Sequence, residues 1–527
     1  MGPANSDECN KALAKLEGMA AQWGIPLAKD KTTKPATNII FLDIEIDSVQ
    51  CLCKIPKTKI AELLEKIQGL TTKDKGTEAA CRDGNDTAED ARITEGVIND
   101  GQKRRKSYSP VFLLLPHLMI TACIPISHSL KGGFGKLLVI SFDGFRWDYD
   151  QDVDTPNLDR ISREGVKAKY VTPPFVTMTS PSHFTTITGR WIEDHGVIHN
   201  LMFDPETQKK FSHKATQNKT EWWDNGVLPL WITAQNQGKK VGSFHYPGGG
   251  ANYSGQSVFR TLVESFTHPD SNETEWKENI DIVMNWFSKE DFDFVTLYYG
   301  EPDLVGHSPG PETEERKVII RQIDRTIGYL IDVIEKHNLK EILNVIIMSD
   351  HGMTTVKKSP EVEEVLLSNY INFKDLVKFD ILDYGGLGMV LPKPGKEEEL
   401  YQALKIAHPH LHVYKKEEIP VLFHYAKNQR ILPILVYGDL GYSINGRFII
   451  YVNKGDHGFS NTEMDMKTIF RAFGPAFKQN YVTEPFDSIH IYPLMCHLLG
   501  VNPEPHNGSL AVTQEMLIAT DIPGKSK

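Results

Sequence analysis

The stretch Leu343-Asn344-Val345-Ile346-Ile347-Met348-Ser349-Asp350-His351-Gly352-Met353 decides the fold class. Its first half is a short, almost unbroken apolar run with β-branched residues, as in a strand buried on both faces of a parallel sheet. The run then stops on an acid, an imidazole and a glycine. Open α/β sheets bind ligands beyond the carboxyl ends of their strands, where Asp350 and His351 are expected to face a metal ion. An Asp-His pair alone also suits an ordinary polar loop. Its weight comes from recurrence.

Three further segments follow the same pattern. Leu137 to Phe142 is an apolar run ending on Asp143-Gly144, and Asp293 to Tyr299 is a strand ending near Asp303, with His307 four residues on. The fourth carries His457 in Gly455-Asp456-His457-Gly458. One helical turn or compact loop can aim Asp303 and His307 at one ion. Three carboxylates and three imidazoles suit two zinc ions better than calcium or magnesium, and manganese or iron fits the same donors. A two-metal site about 4 Å across clamps the entering and leaving oxygens of a phosphoryl transfer. The candidate nucleophile is Thr179. Pro181 suits a helix's first turn, which puts Thr179 near a helix N-terminus where free N–H groups favour an anion. A bound zinc would lower the hydroxyl's pKa. A capping threonine would have the same spacing, and Thr177 and Ser180 remain rivals.

Between these segments the pattern predicts a helix over 155–164, capped by Thr155 with Pro156 in its first turn. It predicts a second helix from Pro311 to His337. There Ile320, Ile323, Ile327, Leu330, Ile331 and Ile334 form one apolar stripe, read as core. Alternating strand and helix patterns mean an α/β domain with a mostly parallel sheet.

The chain has 527 residues, 40% hydrophobic and 24% charged, an ordinary globular composition able to bury a large core. A formal net charge of -11 argues against a general nucleic-acid binder, which needs a basic face. It leaves room for an anionic substrate held by metal ions. Of six cysteines only Cys496 follows residue 130, in an apolar segment where a buried thiol is expected. Asn-X-Ser/Thr sequons at Asn85, Asn218, Asn252, Asn272 and Asn507 point to a secreted glycoprotein.

Residues 1–70 look foreign to the rest. Phe41-Leu42-Asp43-Ile44-Glu45-Ile46-Asp47 before the helical run 57–68 resembles a retroelement reverse transcriptase fragment, with Asp43 where that family has Gly and no polymerase motif. Residues 71–106 are polar and charged, without apolar periodicity, and read as a disordered linker. Residues 107–130 place Val111 to Ile126 behind Lys103-Arg104-Arg105-Lys106, the grammar of a signal peptide in an internal position. The poorly ordered extension thus precedes a catalytic domain over 136–515 and a tail over 516–527.

At the site motifs a family resemblance enters. Phe142-Asp143-Gly144-Phe145-Arg146, Thr179-Ser180-Pro181, Gly300-Glu301-Pro302-Asp303, Gly306-His307, Ser349-Asp350-His351-Gly352-Met353 and Asp456-His457-Gly458, in this order, resemble the ectonucleotide pyrophosphatase/phosphodiesterase family of the alkaline phosphatase superfamily. The resemblance implies an alkaline phosphatase-like α/β/α sandwich. It implies one zinc held by Asp143, Thr179, Asp350 and His351, and the other by Asp303, His307 and His457. It implies Thr179 as the attacking group and Asn200 as the contact to a phosphoryl oxygen. No ligand position departs from the family pattern, whereas the Cys/Ser-x-Pro-x-Arg motif of sulfatases is absent.

Met178-Thr179-Ser180-Pro181, Trp222-Trp223-Asp224-Asn225-Gly226 and Leu411-His412-Val413-Tyr414-Lys415-Lys416 resemble the sphingomyelin-cleaving branch of that family. This implies a phospholipase C-type cleavage of sphingomyelin to ceramide and phosphocholine through a phospho-threonine intermediate. The lipid would be met at a membrane or bile-salt micelle surface, by an enzyme that is secreted or on the extracellular face of the plasma membrane. Tyr246 and Phe379 align with aromatics near the choline, where cation–π attraction serves, though both also suit a core. The alternative is a nucleotide or lysophospholipid phosphodiesterase on the same two-zinc site. That branch ends in a hydrophobic anchor signal, unlike Ile522 to Lys527, so anchoring stays open.

Overall fold

A computed structural model describes residues 135–212, 218–264, 272–449 and 453–519. The retroelement-like segment, the charged linker, the signal-like run, Asn85 and the tail beyond residue 519 lie outside the described residues.

The apolar runs become the middle of an eight-stranded sheet. In chain order its strands are Lys136–Phe142 (β1), Val166–Ala168 (β2), Val241–Phe244 (β3), Arg260–Leu262 (β4), Phe294–Tyr299 (β5), Leu343–Met348 (β6), Phe470–Phe473 (β7) and Tyr481–Thr483 (β8). Across the sheet the order is β8-β2-β7-β6-β1-β5-β3-β4. β1 pairs in parallel with β6 on one side, Val139 opposite Ile346, and with β5 on the other, Val139 opposite Thr296. β7 runs antiparallel to both of its neighbours. All residues of β5 and β6 are buried, as continuous apolar runs require.

Alternation along the strands splits the core in two. Leu137, Val139, Ile346 and Met348 face one layer, with helices Thr179–Thr188 and Ile491–Leu499. Leu138, Ile140, Val345 and Ile347 face the other, with helices Pro156–Glu164, Glu273–Lys289 and Glu314–Lys336. This is the expected α/β/α sandwich. The stripe from Ile320 to Ile334 is buried in that second layer. Ile323→Ala, at a site with no exposed surface, should therefore cost about 2–5 kcal/mol. A guanidinium midpoint unchanged from wild type would remove the stripe from the core. Cys496 is buried as expected, and burial pushes its thiol up to about 12.

Three features differ from expectation. The long helix begins at Glu314, not Pro311, because Thr313 Oγ1 accepts the Arg316 N–H (3.4 Å), while the Pro311 carbonyl accepts from Arg316 Nε (2.7 Å). Thr155 occupies the N-cap of Pro156–Glu164 but its hydroxyl caps nothing. Asp324 of the long helix does so, accepting from Asn157 N (3.0 Å) and Leu158 N (2.8 Å). Finally, Val377–Ile381, Leu387–Pro392, Ile434–Gly438 and Leu411–Lys415 form a separate antiparallel sheet in that spatial order, which the sequence reading did not foresee.

Candidate active site

The carboxyl ends of β1 and β6 deliver Asp143, Asp350 and His351 side by side, because register pairs Ser141 with Met348. Asp303 opens the short helix Asp303–His307, and its N–H donates to the Asp143 carbonyl (2.9 Å). That approach requires Gly144. Its φ is +70°, and a Cβ there would lie 2.8 Å from Asp303 Cα. His457 follows the two-residue strand Gly455–Asp456, and Thr179 is the first residue of Thr179–Thr188.

These side chains meet. His351 Nε2 lies 3.3 Å from Asp143 Oδ1, 3.2 Å from Asp350 Oδ2 and 3.3 Å from Thr179 Oγ1. Asp303 Oδ1 lies 3.3 Å from His307 Nε2 and 3.5 Å from His457 Nε2. Each imidazole is oriented from behind by donating Nδ1–H to a carbonyl at 2.9 Å: His307 to Gly455, His351 to Gly352 and His457 to Thr177. The three Nε2 lone pairs therefore face the carboxylates, as metal-ligating histidines do.

Charge makes the arrangement unfavourable on its own. Burial, then Asp350 and Asp303, pushes the Asp143 carboxyl well above its usual range, against a hydrogen bond from Tyr298 (2.6 Å). Burial alone would raise Asp303 too, but His307, His457 and His351 hold it below the usual range. Burial and the His351 ring, stacked at 3.6 Å, keep the His457 imidazole well below its ordinary pKa. Asp143 Oδ1, Asp303 Oδ1 and Asp350 Oδ2 are buried and accept no hydrogen bond. Lone pairs aimed at lone pairs in a buried site fit cations between them. Among the described residues, three groups have ligand atoms within 4.8 Å of one another: Asp143/Asp350/His351, Asp303/His351/His457 and His307/Asp456/His457.

The structure separates the rival hydroxyls. Thr177 Oγ1 is turned to the Phe459 carbonyl and the Gly458 N–H, both at 3.0 Å, and Thr177 serves as the floor beneath His457. Ser180 gives its backbone N–H to Asn200 Oδ1 (2.8 Å), which leaves the Asn200 amide nitrogen as its donor end. Tyr246 is buried, edge-on to His183 and Trp231, with its hydroxyl on the His183 carbonyl (3.3 Å). It lines a small cavity with His245, Glu264 and Tyr298. Phe379 stands on the second sheet, stacked on Phe203 at 3.9 Å, with the Lys210 ammonium 5.2 Å from its ring centroid.

Sequence reading missed three supports. Asp456 is buried next to His307 and His457, and its position beside His457 in the motif was the available signal. His183 joins Ser141 Oγ (2.8 Å) to the Thr179 carbonyl (2.8 Å), and Tyr298 holds Asp143. Neither has a local signal: His183 sits in the hydroxyl-rich helix Thr179–Thr188 and Tyr298 in the apolar run of β5.

Residues 137–460 match the family model described as type I phosphodiesterase / nucleotide pyrophosphatase. The chain belongs to the ectonucleotide pyrophosphatase/phosphodiesterase family. It is 53% identical over 414 residues to mouse family member 7, covering 78% of this chain and 93% of that protein. Against human family member 7 it is 55% identical over 388 residues, covering 73% and 84%. A solved structure of an inactive variant of murine member 5, in complex with AMP, is 36% identical with TM-score 0.68, covering 73% of this chain and all of that one. The protein is thus a hydrolytic phosphodiesterase with a buried Asp/His site able to hold metal. Among the described residues no helix is long and apolar enough to cross a membrane.

Proposed function

We propose that the enzyme is a two-zinc phosphodiesterase that cleaves sphingomyelin to ceramide and phosphocholine. The observation that carries the chemistry is Thr179 Oγ1, 3.3 Å from His351 Nε2, beside carboxylate oxygens without hydrogen bonds. Asp143, Thr179, Asp350 and His351 would hold one ion and Asp303, His307 and His457 the other. When bound, the ions lower the hydroxyl's pKa and offset charge on the phosphoryl oxygens. Thr179 Oγ1 gives up its proton and bonds to phosphorus, and the ceramide oxygen leaves and is protonated. Water then displaces Thr179, which regains its proton as phosphocholine departs. The Asn200 amide nitrogen, held in place by the Ser180 N–H on its Oδ1, stabilises the phosphoryl charge throughout. The resemblance would put Tyr246 and Phe379 near the choline, but Tyr246 is buried against His183 and Trp231, and Phe379 is stacked on Phe203 with the Lys210 ammonium over its ring.

The lipid assignment rests on the sequence segments shared with the sphingomyelin-cleaving branch and on the identity to member 7. The AMP complex of the murine relative favours the nucleotide alternative. Exposure of Asn218, Asn252, Asn272 and Asn507 supports a glycosylated, extracellular enzyme. We take 136–515 as the catalytic unit, since no candidate site residue precedes Asp143.

One experiment tests these points. The whole chain, and residues 130–527 behind a working signal peptide, are incubated with zinc and sphingomyelin, lysophosphatidylcholine or a nucleotide phosphodiester. Phosphocholine and ceramide should be the dominant products, at equal specific activity for both lengths. Faster nucleotide turnover would transfer the assignment to the alternative, and a folded but inactive shorter chain would overturn the domain boundary.

A further inference from the structure

His183 sits in the helix Thr179–Thr188, four residues after Thr179, and has no exposed surface. Whatever it does for the reaction therefore passes through its neighbours. Its Nδ1 is 2.8 Å from the Thr179 carbonyl oxygen. A carbonyl oxygen only accepts, so Nδ1 carries a proton and donates it. Its Nε2 meets Ser141 Oγ of β1 (2.8 Å), a hydroxyl free to rotate into either role. Nδ1 also stands 3.4 Å from Asp350 Oδ2, just beyond β6. The Tyr246 and Tyr298 rings wall the imidazole edge-on, with centroids 4.9 and 5.4 Å away. One side chain thus ties the nucleophile's helix to the ends of two strands.

The effect reaches the site through one peptide. The Thr179 carbonyl and the Ser180 N–H belong to the same rigid plane. At one edge of that plane His183 grips the carbonyl, and at the other the Ser180 N–H donates to Asn200 Oδ1 (2.8 Å). Rotation of the plane would swing the Asn200 amide away. It would also shift the Thr179 backbone, from which Oγ1 reaches to 3.3 Å from His351 Nε2. We infer that His183 is a positioning residue, which locks the Thr179–Ser180 peptide and so holds the Thr179 hydroxyl and the Asn200 amide in one frame. This rests on the roles proposed above for Thr179 and Asn200.

Three replacements at His183 test it, assayed at saturating zinc with the fastest of the three substrates above. Asparagine puts an amide N–H where Nδ1 stands, glutamine puts its amide near Nε2, and leucine offers no donor. His183→Leu and His183→Gln should lower kcat by about 100-fold, the scale of a displacement near 1 Å, with KM little changed. His183→Asn should recover at least about 10-fold of that loss, although its smaller side chain leaves the larger void and should lower the melting temperature most. A packing role alone would rank the variants by size instead. In a double-mutant cycle, Asn200→Ala should cost less beside His183→Leu than in the wild type, because the amide is already misplaced there.

Thr179→Ala is measured alongside. If it keeps full turnover, the reading of the site falls and this inference with it. If it is inactive while folded His183→Leu and His183→Gln keep wild-type kcat, the inference alone is overturned. His183→Asn no better than His183→Gln, or full additivity in the cycle, overturns it as well. Circular dichroism identifies the folded variants, and should His183→Leu fail to fold, the comparison of asparagine with glutamine decides.

Discussion

Thr179→Ala should lower phosphodiesterase turnover by at least about 1,000-fold, since it removes both the attacking oxygen and a metal ligand. The residue is 5% exposed and opens its helix, so the variant should fold, and circular dichroism would verify it. Thr179→Ser keeps the hydroxyl and should keep appreciable activity. Thr177→Ala acts differently. It deletes the hydroxyl that holds Gly458 N and the Phe459 carbonyl beneath His457, costing about 1–3 kcal/mol of stability, with a smaller loss of turnover. Ser180→Ala should also be milder. The sharper arm is stereochemical. Two in-line displacements invert phosphorus twice, so a chiral phosphorothioate substrate should react with net retention. Net inversion would mean that water attacks directly, and Thr179 would shrink to a ligand or a cap.

His457→Ala should reduce turnover by about 100-fold or more while leaving part of the metal in place. The reasoning is spatial. Asp143, Asp350 and His351 form a group to which His457 contributes nothing, whereas both remaining groups contain it. Elemental analysis alongside kcat separates the outcomes: about one equivalent lost with crippled turnover is expected. Retention of all metal with normal turnover would remove His457 from the site. The loss should not be repaired by the neighbouring acid, because Asp456 Oδ1 is already taken by the His457 backbone N–H (2.8 Å).

What the sequence determined by itself was whatever nearest neighbours along the chain can encode. Apolar runs ending on Asp143, Asp303 and Asp350-His351 announced buried strands with ligands at their carboxyl ends, and the isoleucine stripe announced a helix face. Both follow from fixed side-chain periods, so no distant partner is needed to read them. Tertiary structure alone decided which groups touch. Gly144 and Asp350 are 206 positions apart, yet Gly144 N reaches Asp350 Oδ1 at 3.1 Å, because β1 and β6 pair in one register. The same long-range geometry turned Thr177 away and brought Thr179 to His351. It replaced Thr155 by Asp324 as the helix cap and drew Asp456 beside two histidines. Each of these choices depends on distances of a few ångströms between distant segments. Such distances are fixed by sheet register and core packing, to which short-range sequence pattern is blind.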